Sequence, residues 1–142
     1  MIKPIYLVAG ARPNFIKLAP LVWVLQSRRN LPYQIIHTGQ HYDRAMSQSF
    51  FDVLNIPEPD MNLEVGSGTQ SFQTARILER FDGLLNNAPP SAVVVFGDVN
   101  STLACSLAAA KRQSQAQIKR RTNRPHRLSM TKANRLAYYR RA

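Results

Sequence analysis

Three side chains in this sequence have the type and placement to do chemistry on an anionic, hydroxyl-bearing molecule. Arg12 and Lys17 stand five residues apart in Gly10-Ala-Arg-Pro-Asn-Phe-Ile-Lys17, and Asp98 opens Asp98-Val-Asn-Ser-Thr102 after a glycine. Cations at a helix start oppose the helix macrodipole, so two of them there point to an anion held between them and the backbone N–H groups. The competing reading is a pair of solvated surface charges. A carboxylate in the same crevice would be poised for proton transfer or for holding substrate hydroxyls. Alternatively, Asp98 merely favours the positive end of the following helix by about 0.5–1 kcal/mol, with Asn100 or Ser101 as N-cap.

The histidines are a weaker signal. His37 closes an apolar run, where a buried neutral ring competes with catalysis, and His41 lies in the polar loop Thr38-Gly-Gln-His-Tyr-Asp43 beside Gln40. Gln40 and His41 are candidates for ligand contact because they sit on a loop. One cysteine, Cys105, and three scattered histidines exclude an internal disulfide and give no metal-ligand spacing. Gly66-Ser-Gly68 has the spacing of neither nucleotide-binding glycine motif.

These residues need elements to carry them. Tyr6–Ala9 is too short for a helix and rich in strand formers, so it reads as a buried strand feeding a helix whose first turn accepts Pro13. Phe15, Leu18, Leu21, Val22 and Leu25 then form one apolar stripe, with Lys17 roughly 110° from its middle. Ile16 and Trp23 make a second, narrower strip. Tyr33–Thr38 is a second strand, set off by Pro32 and Gly39. Met46–Leu54 is expected to be helical with Phe50, Phe51 and Leu54 inward, and Met61–Val65 to be a third strand. The spacing of Phe72, Ala75, Ile77, Leu78, Phe81, Leu84 and Leu85 predicts a helix over 69–87. Ala92–Phe96, apolar throughout, reads as a strand covered on both faces, followed by a small-residue helix to Lys111. Repetition of strand, polar turn and helix predicts an α/β fold with a parallel sheet, and places Arg12, Lys17 and Asp98 at its carboxyl edge.

Charge divides the 142 residues unevenly. Residues 1–110 hold eight Lys/Arg and eight Asp/Glu, whereas residues 111–142 hold eleven Lys/Arg and no acid, hence the whole net charge of +11. An apolar fraction of 44% fits one globular domain. The short apolar runs give no signal peptide or membrane span, and a cytoplasmic, reducing location is the expectation.

Four separated motifs carry a family resemblance. Gly10-Ala-Arg-Pro-Asn-Phe-Ile-Lys-Leu-Ala-Pro-Leu21, His37-Thr-Gly-Gln-His-Tyr-Asp43, Asn55-Ile-Pro-Glu-Pro-Asp60 with Gly66-Ser-Gly68, and Phe96-Gly-Asp-Val-Asn-Ser-Thr-Leu-Ala104 occur in order. Together they resemble the non-hydrolysing UDP-N-acetylglucosamine 2-epimerases over roughly residues 2–111. The resemblance implies most of the first of two Rossmann-like domains in a GT-B arrangement. It implies interconversion of UDP-N-acetylglucosamine and UDP-N-acetylmannosamine for envelope polysaccharide precursors, with no metal or nicotinamide. The implied mechanism removes the C2 proton, expels UDP from C1 to give a glycal, and re-adds it with the proton on the opposite face. Preorganised cations would then stabilise the departing diphosphate. By motif position Arg12 and Lys17 bind substrate, Asp98 binds it and serves as an acid/base carboxylate, and Gln40 and His41 match part of a regulatory UDP-sugar site. The family's homodimer is not expected of this chain.

The resemblance stops just after Lys111. The family's His-Val-Glu-Ala-Gly-Leu-Arg segment has no counterpart, and Met130-Thr-Lys-Ala-Asn-Arg135 is a faint echo of its Met-Pro-Glu-Glu-x-Asn-Arg segment. The division expected is therefore an incomplete epimerase domain over 1–111 and a basic tail over 112–142, non-homologous or frame-shifted, disordered or irregularly helical. An inactive fragment is the corresponding expectation. Two other readings are a stand-alone UDP-sugar binding module, and nucleic-acid binding through Lys119-Arg-Arg121, Arg124, Arg127, Lys132, Arg135 and Arg140-Arg141 with Tyr138 and Tyr139 for stacking. For the latter, non-specific adhesion follows from charge alone.

Overall fold

The computed structural model describes residues 2–28, 30–39 and 50–120, with residues 113–120 described by their backbone. Strand β1 (Ile5–Ala9) leads into helix α1 (Arg12–Ser27), which returns to β2 (Tyr33–His37). A helical stretch at 50–54 precedes the two-residue β3 (Met61–Asn62). Helix α2 (Gln70–Asn87), β4 (Ala92–Val95) and helix α3 (Asn100–Arg120) complete the described chain. The strands form one parallel sheet in the order β3-β2-β1-β4. Ile5 lies opposite both Tyr33 and Ala92, so β1 is central.

That order has a consequence for function. The chain winds outward from β1 to β2 and β3, then returns to place β4 on the other side of β1. The reversal puts a topological switch point between β1 and β4, and open α/β sheets bind ligands in the crevice outside the carboxyl ends at such a point.

Period-two alternation sorts the sheet into two cores. Leu7, Ala9 and Ile35 face Phe15, Leu18, Ala19, Val22 and Leu25 of α1, joined by Phe51 and Ile56. Tyr6, Val8, Ile36, Val93 and Val95 face Ile77, Phe81 and Leu85 of α2 and Ala104, Cys105, Ala108 and Ala109 of α3. The small residues of α3 let it lie close to the sheet, and burial pushes the Cys105 thiol pKa upward. At the amino edge the Tyr6 hydroxyl donates to the Ala88 carbonyl at 2.6 Å, and burial raises that phenol too.

Several expectations need adjusting. Met61–Val65 is not a full strand: Glu64 takes a left-handed φ of 50° and its N–H bonds to Asn62 Oδ1. Pairing nevertheless continues, with the N–H groups of Leu63, Val65 and Gly66 on the carbonyls of His37, Thr38 and Gly39. This approach requires Gly39, with φ 77°, because a Cβ there would lie 2.7 Å from the Glu64 nitrogen. Phe72 does not join the buried stripe of α2; it is 48% exposed beneath the Arg76 guanidinium, while Gln73 takes the inward place. Strand β4 is an edge strand, with Val93 and Val95 buried and Val94 and Phe96 only partly so. Helix α3 runs without a break past Lys111 to Arg120. Arg112 holds it to α2 through Asp82 Oδ1 at 2.8 Å and Asn86 Oδ1 at 2.7 Å, and the Asp82 carboxyl is depressed by that hydrogen bond. Residues 121–142, most of the basic tail, lie outside the described residues, as do Gln40 and His41.

Candidate functional site

The crevice at the switch point is built from two turns. The first leaves β1 through Gly10 and Ala11 into α1, where Arg12 and Pro13 are the first two helical residues. Ala11 has no side chain with which to cap the helix, and Asn14 answers from inside the first turn. Its Oδ1 accepts the N–H groups of Gly10 at 3.1 Å and Ala11 at 3.0 Å, the reach-back half of a capping box. Two N–H groups expected to face an anion are therefore already engaged, and Pro13 has none to offer. Charge at this helix start comes from Arg12 and Lys17, with no acidic residue in the first turn.

The second turn leaves β4 through Phe96 and Gly97. Asn14 Nδ2 donates to the Phe96 carbonyl at 2.9 Å, tying the two turns together, and the Thr102 hydroxyl donates to the same carbonyl at 2.9 Å. Gly97 has a φ of 81°, and a Cβ built there would lie 2.9 Å from Asn14 Nδ2 and 4.0 Å from Lys17 Nζ. Only glycine lets the turn approach so closely. The ammonium of Lys17 is thereby placed over the turn that bears Asp98 in the next position.

Arg12 points elsewhere. Its guanidinium carbon lies 5.6 Å from the centroid of the Phe50 ring, on the side of the helical stretch at 50–54. Arg12, Lys17 and Asp98 are all exposed at the carboxyl edge, and no ion pair joins any two of them among the described residues. Lys17 and the Asp98 turn share the crevice, and Arg12 flanks it.

Neither expected cap of α3 acts as one. The helix closes on the Val99 carbonyl, which accepts from Thr102 and Leu103 N–H. Asn100 Nδ2 instead donates to Gln70 Oε1 at 2.6 Å and Gln73 Oε1 at 3.1 Å, fastening the Asp98 turn to the start of α2. The buried hydroxyls of Ser101 and Thr38 bond at 2.8 Å, joining the end of β2 to α3 across β1. These side chains were not singled out from sequence as links between turns. Their signal was polar residues in first helical turns where apolar ones would fit the stripe.

His37 resolves to a structural ring. It is 3% exposed, lies 5.3 Å from the Phe15 ring in a stacked arrangement, and accepts the Gly39 N–H on Nδ1 at 2.7 Å. Accepting on Nδ1 requires the neutral form with the proton on Nε2, and burial pushes its pKa down to about 4. Among the described residues no group of three or more His, Cys, Asp or Glu is placed to hold a metal ion. No described helix is long and apolar enough to cross a membrane.

A protein-family model described as UDP-N-acetylglucosamine 2-epimerase matches residues 24–116, from the last turn of α1 through most of α3, including Asp98 but beginning after Arg12 and Lys17. The chain belongs to the UDP-N-acetylglucosamine 2-epimerase family. Over 104 residues it is 49% identical to a UDP-N-acetylglucosamine 2-epimerase homolog of Methanococcus maripaludis, covering 73% of this chain and 29% of that one. It is 42% identical, again over 104 residues, to the UDP-2,3-diacetamido-2,3-dideoxy-D-glucuronate 2-epimerase of Pseudomonas aeruginosa. The crystal structure of the Methanocaldococcus jannaschii UDP-GlcNAc 2-epimerase, in complex with UDP-GlcNAc and UDP, superposes with a TM-score of 0.73 at 40% identity, covering 78% of this chain and 30% of that one. The chain thus spans about 30% of the length of the epimerases it matches. Its sheet and helices form part of the Rossmann-like architecture of these GT-B epimerases, and the match to residue 116 carries the likeness past Lys111 into the helix that Arg112 secures.

Proposed function

We propose that this chain forms the β1/β4 wall of a UDP-sugar 2-epimerase site. The observation that carries the reading is the approach of the Lys17 ammonium to the turn that bears Asp98, at the β1/β4 switch point where the strand order reverses. Family membership supplies the substrate class, a UDP-linked 2-acetamido sugar. On this reading Lys17 receives the diphosphate, whose negative charge grows as the C1–O bond breaks, and Arg12, turned toward Phe50 at the edge of the crevice, is a candidate second contact. Fixed cations are suited to such a step because they interact more strongly with the expelled UDP than with the intact ester. Asp98, next in the chain after the glycine that Lys17 overlies, takes or returns the proton at C2, and its exposed position leaves it open to the sugar ring.

Inversion at C2 requires proton transfer on both faces of the ring, and Asp98 supplies a carboxylate on one. The 142-residue polypeptide by itself is therefore expected to bind UDP weakly and to show no epimerase turnover. Gln40 and His41, which follow β2 in the sequence, remain proposed contacts to a second UDP-sugar. The test is a titration of the isotopically labelled chain with UDP, followed by amide shifts. Perturbation centred on Arg12, Lys17 and residues 97–99, and lost in Lys17→Ala, supports the reading. Shifts scattered over the basic helix end, or unchanged in Lys17→Ala, would refute it. A coupled assay that detected turnover by the purified polypeptide would overturn the view that a second proton-transfer group lies elsewhere.

A further inference from the structure

We infer that Asn14 is the positioning residue that sets the crevice between the Lys17-bearing helix and the Asp98-bearing turn, and that this position requires a carboxamide. The inference rests on the functional reading above and adds to it a residue that meets no substrate.

Asn14 is 3% exposed, so its amide is desolvated and each of its polar atoms needs a partner. The partners are of opposite kinds. Oδ1 accepts from Gly10 N–H and Ala11 N–H, at the end of β1, while Nδ2 donates to the Phe96 carbonyl at the end of β4. The Thr102 hydroxyl already donates to that carbonyl, and the turn beyond it passes so close that a Cβ on Gly97 would meet Nδ2 at 2.9 Å. Asn14 is thus a strut of fixed length between the two strand ends, and Lys17 stands one helical turn further along the same helix.

A carboxylate has the same shape and would keep the Gly10 and Ala11 bonds. It cannot donate, so the oxygen replacing Nδ2 would face the Phe96 carbonyl oxygen at hydrogen-bond distance with no proton between them. The two turns would be pushed apart, moving Lys17 from Asp98. A protonated carboxyl group can donate, and would close the strut again. Position 14 therefore has a protonation-dependent substitute.

The experiment compares UDP affinity of the wild-type chain, Asn14→Asp and Asn14→Ala, by amide-shift titration between pH 7.5 and pH 5. The charged group that shares the Gly97 approach with the position is Lys17 from α1, Asp98 follows in the β4 turn, and Arg12 from the same helix turns toward Phe50. Their titration, that of the UDP phosphate and that of His37 are common to all three proteins and cancel in the ratio of variant to wild type. At pH 7.5 Asn14→Asp is expected to bind about tenfold more weakly, with the free-protein shifts of residues 97–99 displaced and the Gly10 and Ala11 amides still protected. Towards pH 5 both the ratio and the 97–99 shifts should return toward wild type. Asn14→Ala removes all three bonds without adding charge and should bind more weakly by a factor that does not change with pH. Wild-type affinity in Asn14→Ala overturns the proposal even where Asn14→Asp fails to fold, and so does an Asn14→Asp ratio that stays constant with pH. If the wild-type chain shows no UDP-dependent shifts at all, the functional reading fails, while the ligand-free shifts of residues 97–99 still judge the strut.

Discussion

His37 should make this domain less stable in acid, and the size of its effect follows from where the residue sits. His37 is buried against Phe15 with Nδ1 committed to the Gly39 N–H, and its pKa falls from 6.5 to about 4 because burial disfavours the imidazolium. In the unfolded chain the ring takes a proton near its ordinary value, so below about pH 6.5 the unfolded state binds the extra proton. The sign is fixed: stability is greatest above pH 6.5, falls by about 1.4 kcal/mol per pH unit as pH drops toward 4, and stops falling once the folded ring protonates. The whole loss is about 3 kcal/mol, a large share of the 5–15 kcal/mol typical of a domain. Urea unfolding at intervals from pH 7.5 to 4.5 measures it, with His37→Asn as the reference because its Oδ1 can still accept the Gly39 N–H but does not titrate. The stability difference between the two proteins should shift against wild type by about 2–3 kcal/mol across that range. A difference that stays flat, or a ring signal titrating near pH 6.5 in the folded protein, would refute the buried neutral assignment.

Other perturbations test the remaining joints. Gly97→Ala forces a Cβ into a left-handed turn and against Asn14 Nδ2; thermal and urea unfolding should show a loss of about 1–3 kcal/mol. Thr38→Val and Ser101→Ala each break the buried hydroxyl pair, and a double-mutant cycle in urea should return a coupling of about 1 kcal/mol between them. The eleven cations after Ala110 should make the chain adhere to RNA and DNA alike, with affinity falling steeply as salt rises and no preference among sequences; a filter-binding series across salt concentrations that found a preferred sequence would point to selected recognition instead.

The elements were legible because their signals were local. Strand length fixes β1 within a residue of where it lies, and the helix-compatible Pro13 with the 3–4 spacing of Phe15 to Leu25 fixes the start and inward face of α1. Arg12, Lys17 and Asp98 could be proposed as a set because both stretches repeat a strand, polar turn and helix; the structure puts Lys17 over the Asp98 turn and directs Arg12 to Phe50. What the pattern lacks is strand order. Nothing local to Ala92–Phe96 says that it pairs with β1 at the sheet edge, so its unbroken apolar run suggested two covered faces where one is half open. Phe72 was misassigned for a related reason: a helix stripe counted by hydrophobicity favours phenylalanine over Gln73, yet the inward position at the α2 start meets Gly66 and Asn100, which need an amide. The same blindness hid Asn14, since its partners lie three and four residues away on one side and eighty-two on the other.

The arrangement of polar side chains also bears on which part of the chemistry this wall can perform. Asn14, Thr38, Asn100, Ser101 and Thr102 stand at the carboxyl edge, where ligand contacts are made, and all of them bond to other parts of the protein. Their work is to hold strand ends in register, and on the proposed reading this leaves the exposed Lys17, Arg12 and Asp98 to meet the ligand. A wall of two cations and one carboxylate is better suited to stabilising an expelled diphosphate than to discriminating among sugars, because its cations attract the diphosphate that every UDP-sugar carries and specificity needs directed hydrogen bonds. On the proposed reading, differences between family members that act on N-acetylglucosamine and on diacetamido-glucuronate nucleotides therefore arise mainly from residues facing this wall across the crevice. Exchanging residues within the wall should change how tightly UDP is held far more than which UDP-sugar is chosen.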